Sequence, residues 1–238
     1  MSAAIARKGQ AIAAETHPAG YFDREYFRLH PGRERYLAWL LALLRRHGVH
    51  RGRVLDLGAG YGFWLAALAQ AGYEPAGVEL SPEAAAQARE RSGAPVATGS
   101  ADDPLPYEDA SFAAITMLDV IEHLPRYPAA LLECARVLAP GGKLFVITLN
   151  AGSLARPLLG RRWSFWLDST HVHMFSARRL RGAFADAGLV TERMATMSNF
   201  ALVGEGNPFL KPLRKLIGRV VVTPWLGDSL LAVARKPG

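Results

Sequence analysis

Cysteine is almost absent. Cys134 is the single one in 238 residues, which excludes an intrachain disulfide. It falls in a predicted helix, Pro128 to Leu138, and reads as a small buried apolar filler. Long apolar runs are missing too: none reaches the ~18 residues of a membrane-spanning helix. The first twenty residues mix Arg7, Lys8, Gln10 and Glu15 among alanines, so no secretory core stands there. Together these absences predict a cytoplasmic protein. Acidic charge is in deficit, with 21 acidic against 28 basic residues and a net charge of +7. Such a balance admits nucleic acid, an anionic membrane or an anionic substrate. Many of the basic residues stand singly on helix faces, as Arg45, Arg89, Arg91 and Arg136 do. An aromatic-rich RNA-binding signature and a separate basic domain are both lacking, which weighs against nucleic acid. No internal repeat or low-complexity segment breaks the chain.

What is present is a full core and an alternation. Half the residues are apolar, enough for one decorated domain. Strands are predicted at 53–57, 75–79, 94–98, 112–117 and 143–148, with helices at 62–71, 82–91 and 128–138 between them. An earlier helix, Arg33 to His47, carries Tyr36, Leu37, Leu40, Leu41 and Leu44 at three- to four-residue spacing and stops at Gly48. Ser81 and Pro82 mark one helix start, Ser176 another. Strands that are apolar nearly throughout, such as Lys143 to Thr148, suit a parallel sheet covered on both faces. The expected fold is therefore α/β, a doubly wound and mostly parallel sheet with helices on both faces. Residues 1–35 form an N-terminal arm or cap, and 36–238 the main domain. Leu189 to Thr196 and Ser229 to Ala234 are the last two strands. The insertion between them, 199–227, holds a basic amphipathic helix over 208–219. That helix is open to three readings: a lid, a dimer-forming element, or a weak contact with an anionic membrane surface.

Residues 53–64, Arg-Val-Leu-Asp-Leu-Gly-Ala-Gly-Tyr-Gly-Phe-Trp, read as strand, glycine turn, helix. Glycine lets a ligand approach the backbone, and the helix start offers free N–H groups. The next strand ends in Glu79, 79 − 56 = 23 residues after Asp56. A carboxylate there suits a ribose with two free hydroxyls. Dinucleotide binding needs Gly-x-Gly-x-x-Gly, but the glycines here are Gly58, Gly60 and Gly62, and Phe63 stands at the sixth position. The pattern Asp56-x-Gly58-x-Gly60-x-Gly62 instead resembles the class I S-adenosyl-L-methionine-dependent methyltransferases. The resemblance extends over Gly77 to Pro82, Gly99 to Ala101, Leu105 to Tyr107, Ser111-Phe112, Asp119 to Leu124 and Leu138 to Leu144, roughly residues 36–200. It implies a seven-stranded Rossmann-like sheet whose last strand runs antiparallel. One departure is Ala113, where relatives often carry Asp.

The resemblance also implies roles. Asp56, Gly58 and Gly60 would line the methionine end of S-adenosylmethionine, with Asp119 beneath it. Glu79 would hold the ribose hydroxyls, Leu80 would pack on the adenine, and Ala101 and Asp102 would meet its edge. An oxygen nucleophile needs a base, and histidine suits that near neutral pH. His123, at the end of the fourth strand, and His171, in the aromatic stretch 161–175, are the candidates. Trp163, Trp166 and His173 are candidate walls of the acceptor pocket. Asp168, His171 and His173, joined by Glu122 and His123, leave a divalent metal open as an alternative, although no metal ligand is assigned. The expected activity is O-methylation of a small molecule, sugar or lipid-linked glycan. A noncatalytic S-adenosylmethionine-binding protein docked on a membrane or synthase is the alternative. An RNA methyltransferase is disfavoured, because Asp119-Val-Ile-Glu replaces the Asn/Asp-Pro-Pro-Tyr signature of that kind of base N-methylation.

Overall fold

A computed structural model of the chain describes residues 33–153, 156–157, 168–198, 221–223 and 227–238. Residues 1–32 of the expected N-terminal arm 1–35, residues 161–167 with Trp163 and Trp166, and the basic helix expected over 208–219 lie outside the described residues, while Arg33 to Arg35 open the first helix. The alternation read from the sequence is present. Helix α1 (Arg33–Arg46) precedes β1 (Arg53–Leu57), α2 (Phe63–Gln70), β2 (Glu74–Glu79), α3 (Pro82–Ser92), β3 (Val96–Thr98) and β4 (Phe112–Leu118). A single 3-10 turn (Ile121–His123) leads to α4 (Tyr127–Val137), β5 (Leu138–Leu149), α5 (Ala177–Asp186) and β6 (Val190–Ser198). Two further strands, β7 (Val221–Thr223) and β8 (Ser229–Arg235), complete the sheet.

The strand order is β3-β2-β1-β4-β5-β8-β6-β7. Strands β1 to β5 pair in parallel and β8 runs antiparallel to β5, as the resemblance implies. The seven expected strands are joined by β7, three residues long, at the edge beside β6. Two expected boundaries shift for visible reasons. Strand β3 starts at Val96 rather than 94, since Pro95 has no N–H to give the ladder. Strand β5 already begins at Leu138. Phe112 pairs with Leu138 and Ala114 with Lys143, so Pro140-Gly141-Gly142 form a bulge inside one strand.

Alternate strand residues enter two separate cores. Leu55, Leu57, Ile115, Met117, Leu144 and Val146 pack with Leu131, Cys134, Leu180 and Phe184 of α4 and α5. Their neighbours Val54, Ala114, Phe145 and Ile147 pack with Leu40, Leu44, Trp64 and Leu68 of α1 and α2. Period-two alternation thus splits each central strand between two apolar layers. Cys134 is fully buried and burial pushes its thiol far up, so it acts as the apolar filler expected. Ser81 and Ser176 cap α3 and α5, accepting from Ala84 N at 3.3 Å and Arg179 N at 3.2 Å.

The order reverses between β1 and β4, both of which start connections from the centre of the sheet. Gly58, Glu79, Ala101 and Asp119 all lie at or just past the carboxyl ends of their strands. In a doubly wound sheet that edge is the ligand-binding edge.

Gly62 fixes how α2 leaves the glycine turn. It caps the helix at φ +76°, and a Cβ built there would lie 2.6 Å from Ala88 Cα and 2.8 Å from Ala88 O. Both atoms are backbone of α3 and cannot swing away. Gly62→Ala should therefore lower stability by about 2–4 kcal/mol, adding a left-handed backbone cost to overpacking. Gly93→Ala, at φ +68° with nothing within 4 Å, should cost only about 1–2 kcal/mol. Denaturant midpoints of the two variants decide; equal losses would show that the α2–α3 contact is slack.

Candidate active site

Glu79 ends β2 and is nearly buried. Gly60 N donates to its Oε2 at 2.7 Å and Ser81 N to its Oε1 at 2.9 Å. Each carboxylate oxygen keeps a further lone pair. The glycine turn is thus tied across to the end of the neighbouring strand, and Leu80, 44 % exposed, stands beside the carboxylate. Gly58 N and Ala59 N both donate to Val78 O, at 2.8 and 3.1 Å, which closes the turn against β2. Next to it, a Cβ at Gly58 would collide with the Val120 side chain.

Asp56 is buried in β1. Thr116 Oγ1 of β4 donates to its Oδ1 at 2.6 Å and in turn accepts from Trp64 Nε1 at 3.1 Å. Burial pushes the Asp56 carboxyl up to about 8; the Thr116 hydroxyl opposes the rise and the Glu79 charge adds to it. Asp119 follows β4 at φ +54°, a conformation uncommon outside glycine. Burial, then the Asp228 charge, raises its carboxyl to about 7. Tyr36 of α1 lies close enough that burial first, and then the charges of Asp119 and Asp56, push its hydroxyl far up. By spacing Tyr36 belongs only to an apolar stripe, and no local sequence pattern marks Thr116, Trp64 or Asp228.

Asp102 turns toward the loop after the 3-10 turn. Its Oδ2 accepts from Arg126 N at 3.0 Å, while its buried Oδ1 has no hydrogen-bond partner among the described residues. Burial raises its carboxyl, against the Arg126 amide. Ala101 beside it is buried.

Beyond Asp119 the loop 168–175 folds onto the 3-10 turn. Val172 N and His173 N both donate to Glu122 O, at 2.9 and 3.1 Å, and Ala151 N donates to Phe175 O at 2.8 Å. The loop's alternation separates its two histidines. His171 goes to His123, with ring centroids 4.6 Å apart. His173 goes the other way. Its ring contacts Tyr127 at 4.9 Å, Pro125 O at 3.3 Å and Arg179 Nη2 at 3.3 Å. Burial lowers its basicity.

His123 Nδ1 meets Thr170 Oγ1 at 2.8 Å, and that hydroxyl donates to Asp168 Oδ1 at 2.5 Å. With its proton committed to Asp168, the hydroxyl accepts from Nδ1–H, which leaves the lone pair on Nε2. Glu122 is 1 % exposed and its carboxyl is raised to about 8 by burial, then by Asp119; Thr148 and the Leu149 amide oppose the rise. One ligand atom each from Glu122, His123 and His171 lie within 4.8 Å of one another.

Residues 28–193 match the profile of a methyltransferase domain. The chain belongs to that methyltransferase family. The ubiquinone biosynthesis O-methyltransferase of Xanthomonas oryzae pv. oryzae is 38% identical over 103 residues, 41% of this chain and 43% of that protein. The biotin biosynthesis bifunctional protein BioHC of Cellvibrio japonicus is 34% identical over 142 residues, 58% of this chain and 28% of that protein. The chain thus spans less than half the length of these curated relatives. Among solved structures, a Haloferax volcanii methyltransferase in complex with its activator Trm112 matches with a TM-score of 0.65 at 23% identity, covering 97% of this chain and 98% of that one. The [4+2]-cyclase SpnF matches with a TM-score of 0.64 at 19% identity, covering 96% and 95%. Those two likenesses show the fold. No described helix of the methyltransferase is long and apolar enough to cross a membrane.

The residues present suit S-adenosylmethionine, which carries a sulfonium and an ammonium. Asp56, Asp119 and Glu79 gather at one edge of the sheet, and burial raises the carboxyls of Asp56 and Asp119; a cationic ligand there would favour their charged forms.

The raised carboxyls set a pH dependence. Asp56, Asp119 and Glu122 hold protons in the folded protein up to about pH 7–8 that the unfolded chain releases near pH 4. Between those limits the folded state binds more protons, so stability falls as pH rises. His47 and His173, both lowered by burial, act the opposite way only below about pH 6.5. Urea unfolding of the ligand-free protein should give a lower midpoint at pH 8 than at pH 6.5. A midpoint that is flat or rises would show these carboxyls to be ionised and solvated.

Proposed function

We propose that the protein transfers the methyl group of S-adenosylmethionine to an oxygen atom of a small-molecule, sugar or lipid-linked glycan acceptor, with His123 or His171 taking the hydroxyl proton. The observation that carries this reading is the chain His123–Thr170–Asp168, with His171 against the same imidazole. An imidazole whose Nδ1–H is held by a hydroxyl, itself held by a carboxylate, presents a basic Nε2 in a fixed orientation. Relatives named for O-methylation in ubiquinone biosynthesis favour oxygen as the acceptor atom.

When bound, S-adenosylmethionine supplies a methyl carbon already activated by its sulfonium. The chain's task is placement and proton removal. Asp56, Gly58, Gly60 and Asp119 serve the methionine end. Glu79, held by Gly60 N and Ser81 N, accepts from the ribose hydroxyls. Leu80 supports the adenine face, and Ala101 and Asp102 its edge. Asp102 spends one oxygen on Arg126 N, which leaves Oδ1 for that role. His173 lies among Tyr127, Phe175 and Arg179, so a contact with acceptor would be on the side of the loop away from His123.

Calorimetric titration with S-adenosylhomocysteine tests the cofactor assignment. Glu79→Ala should weaken binding about tenfold to a hundredfold, the loss of hydrogen bonds to a charged acceptor. Unchanged affinity would move the ribose elsewhere.

The base assignment is tested separately, by turnover with hydroxyl acceptors. His123→Ala and His171→Ala should retain S-adenosylhomocysteine binding, and at least one should lower kcat by about 10²–10⁴-fold. Full turnover in both variants removes histidine from the proton transfer.

A further inference from the structure

Glu122 presents a contradiction that the methyl-transfer reading does not resolve. Its side chain is 1 % exposed, and neither carboxyl oxygen makes a hydrogen bond of ordinary geometry among the described residues, the Thr148 hydroxyl and the Leu149 amide being the donors nearby. A buried carboxyl without a partner is costly, and native structures seldom keep one without a reason such as an ion. Nothing in the fold requires it for its own sake. The part of Glu122 that organises the loop is its carbonyl, which accepts from Val172 N and His173 N, and any residue supplies that carbonyl.

Two imidazoles stand next to this carboxyl. His123 comes from the same 3-10 turn and His171 from the loop stapled to it, and the ligand atoms of all three residues fall within 4.8 Å of one another. In a tetrahedral shell with bonds of about 2.0–2.2 Å the ligand atoms lie about 3.3–3.6 Å apart, so side-chain movements of up to about 1.5 Å close the set. We propose that Glu122, His123 and His171 form a binding site for one divalent transition-metal cation of the Zn2+ or Co2+ kind. Two nitrogens and one carboxylate oxygen favour that class over Mg2+ or Ca2+, which prefer all-oxygen shells.

The surroundings have the form of a metal site's support. A ligating imidazole ordinarily gives its other N–H to a carboxylate, carbonyl or water, which fixes tautomer and orientation. His123 does so through Thr170 to Asp168. Asp168 Oδ2 also lies 3.9 Å from His171 Nε2, so the same carboxylate is the nearest acceptor for that ring's N–H. Three protein ligands leave a position for an exchangeable oxygen, the arrangement of a catalytic rather than a structural site. An acceptor hydroxyl in that position would give up its proton to solvent water more readily, since both imidazoles are then engaged as ligands. This role, though not the cation site itself, rests on the O-methylation reading. There the cation replaces direct proton uptake by a free imidazole.

The test uses the full chain, stripped with a chelator and titrated with Co2+ by visible absorption and with Zn2+ by calorimetry. One equivalent should bind, with Co2+ bands that report imidazole ligation. Glu122→Gln and His171→Ala should each weaken binding by about tenfold or more, and Thr170→Val by about tenfold to a hundredfold. S-adenosylhomocysteine binding in every variant reports that the sheet edge has folded. If Glu122→Gln fails that control, His171→Ala, on the loop outside the sheet, decides. A wild-type protein that binds S-adenosylhomocysteine but takes up no stoichiometric Co2+ or Zn2+ overturns the proposal. So does metal affinity left unchanged in the variants that fold. A protein that binds the cation yet methylates no hydroxyl acceptor keeps the site and loses the acceptor reading. Full turnover in chelator with no metal uptake does the reverse.

Discussion

Asp56, Glu79, Asp119 and Glu122 gather at the carboxyl edge of a parallel sheet, and burial keeps water from screening them. Parallel pairing makes this unavoidable: Asp56 sits in register with Gly77 of β2 and with Thr116 of β4, so the ends of β1, β2 and β4 arrive at one level. Each carboxyl then needs a fixed donor or must keep its proton. The fold answers differently for each. Glu79 takes two backbone N–H groups, Asp56 takes Thr116, and Asp119 and Glu122 are left with raised carboxyls. The edge keeps protons on Asp56, Asp119 and Glu122 near neutral pH, and a cationic ligand would favour their charged forms.

The same edge is divided by the crossing from β1 to β4. On the β1–β2 side the groups are held by backbone: Gly60 N, Ser81 N and the turn amides on Val78 O. On the β4–β5 side they are held by a loop that arrives late in the chain. Residues 168–175 reach the site because Glu122 O accepts two of their amides and Phe175 is fully buried beside α4 and α5. A rigid half and a loop-built half meet at Asp119, whose left-handed backbone turns the chain from one to the other.

The rigid half was legible in the sequence because its determinants are local. A run such as Val54-Leu55-Asp56-Leu57 followed by Gly58, Gly60 and Gly62 specifies strand, turn and helix within a dozen residues. Glu79 follows by strand spacing. The supports were not legible. Thr116 lies 60 residues from Asp56, Thr170 47 from His123, and Arg126 24 from Asp102, and no periodicity links such pairs. Strand alternation correctly separated His171 from His173, yet only packing of Phe175 and Tyr127 determines which one meets His123. Boundary shifts have the same origin: Pro140-Gly141-Gly142 reads as a turn, and the chain just past the antiparallel β8, where Lys236 N donates to Gly142 O at 3.0 Å, draws it into the sheet as a bulge.

The fold by itself does not choose the chemistry. A [4+2]-cyclase and a methyltransferase bound to Trm112 superpose about equally well on this chain, so the fold is compatible with proteins named for different reactions. What differs between such proteins has to lie in side chains the fold does not require. In this chain Glu122 fits that description. Its carbonyl does structural work that any residue would do, while its carboxyl is buried at a cost to stability and placed beside two imidazoles. A leucine there would be cheaper for the core, in which Ile121 and Leu124 already pack. Groups that lower stability without serving the fold are where function is to be sought, and by that criterion the acceptor chemistry centres on Glu122, His123 and His171.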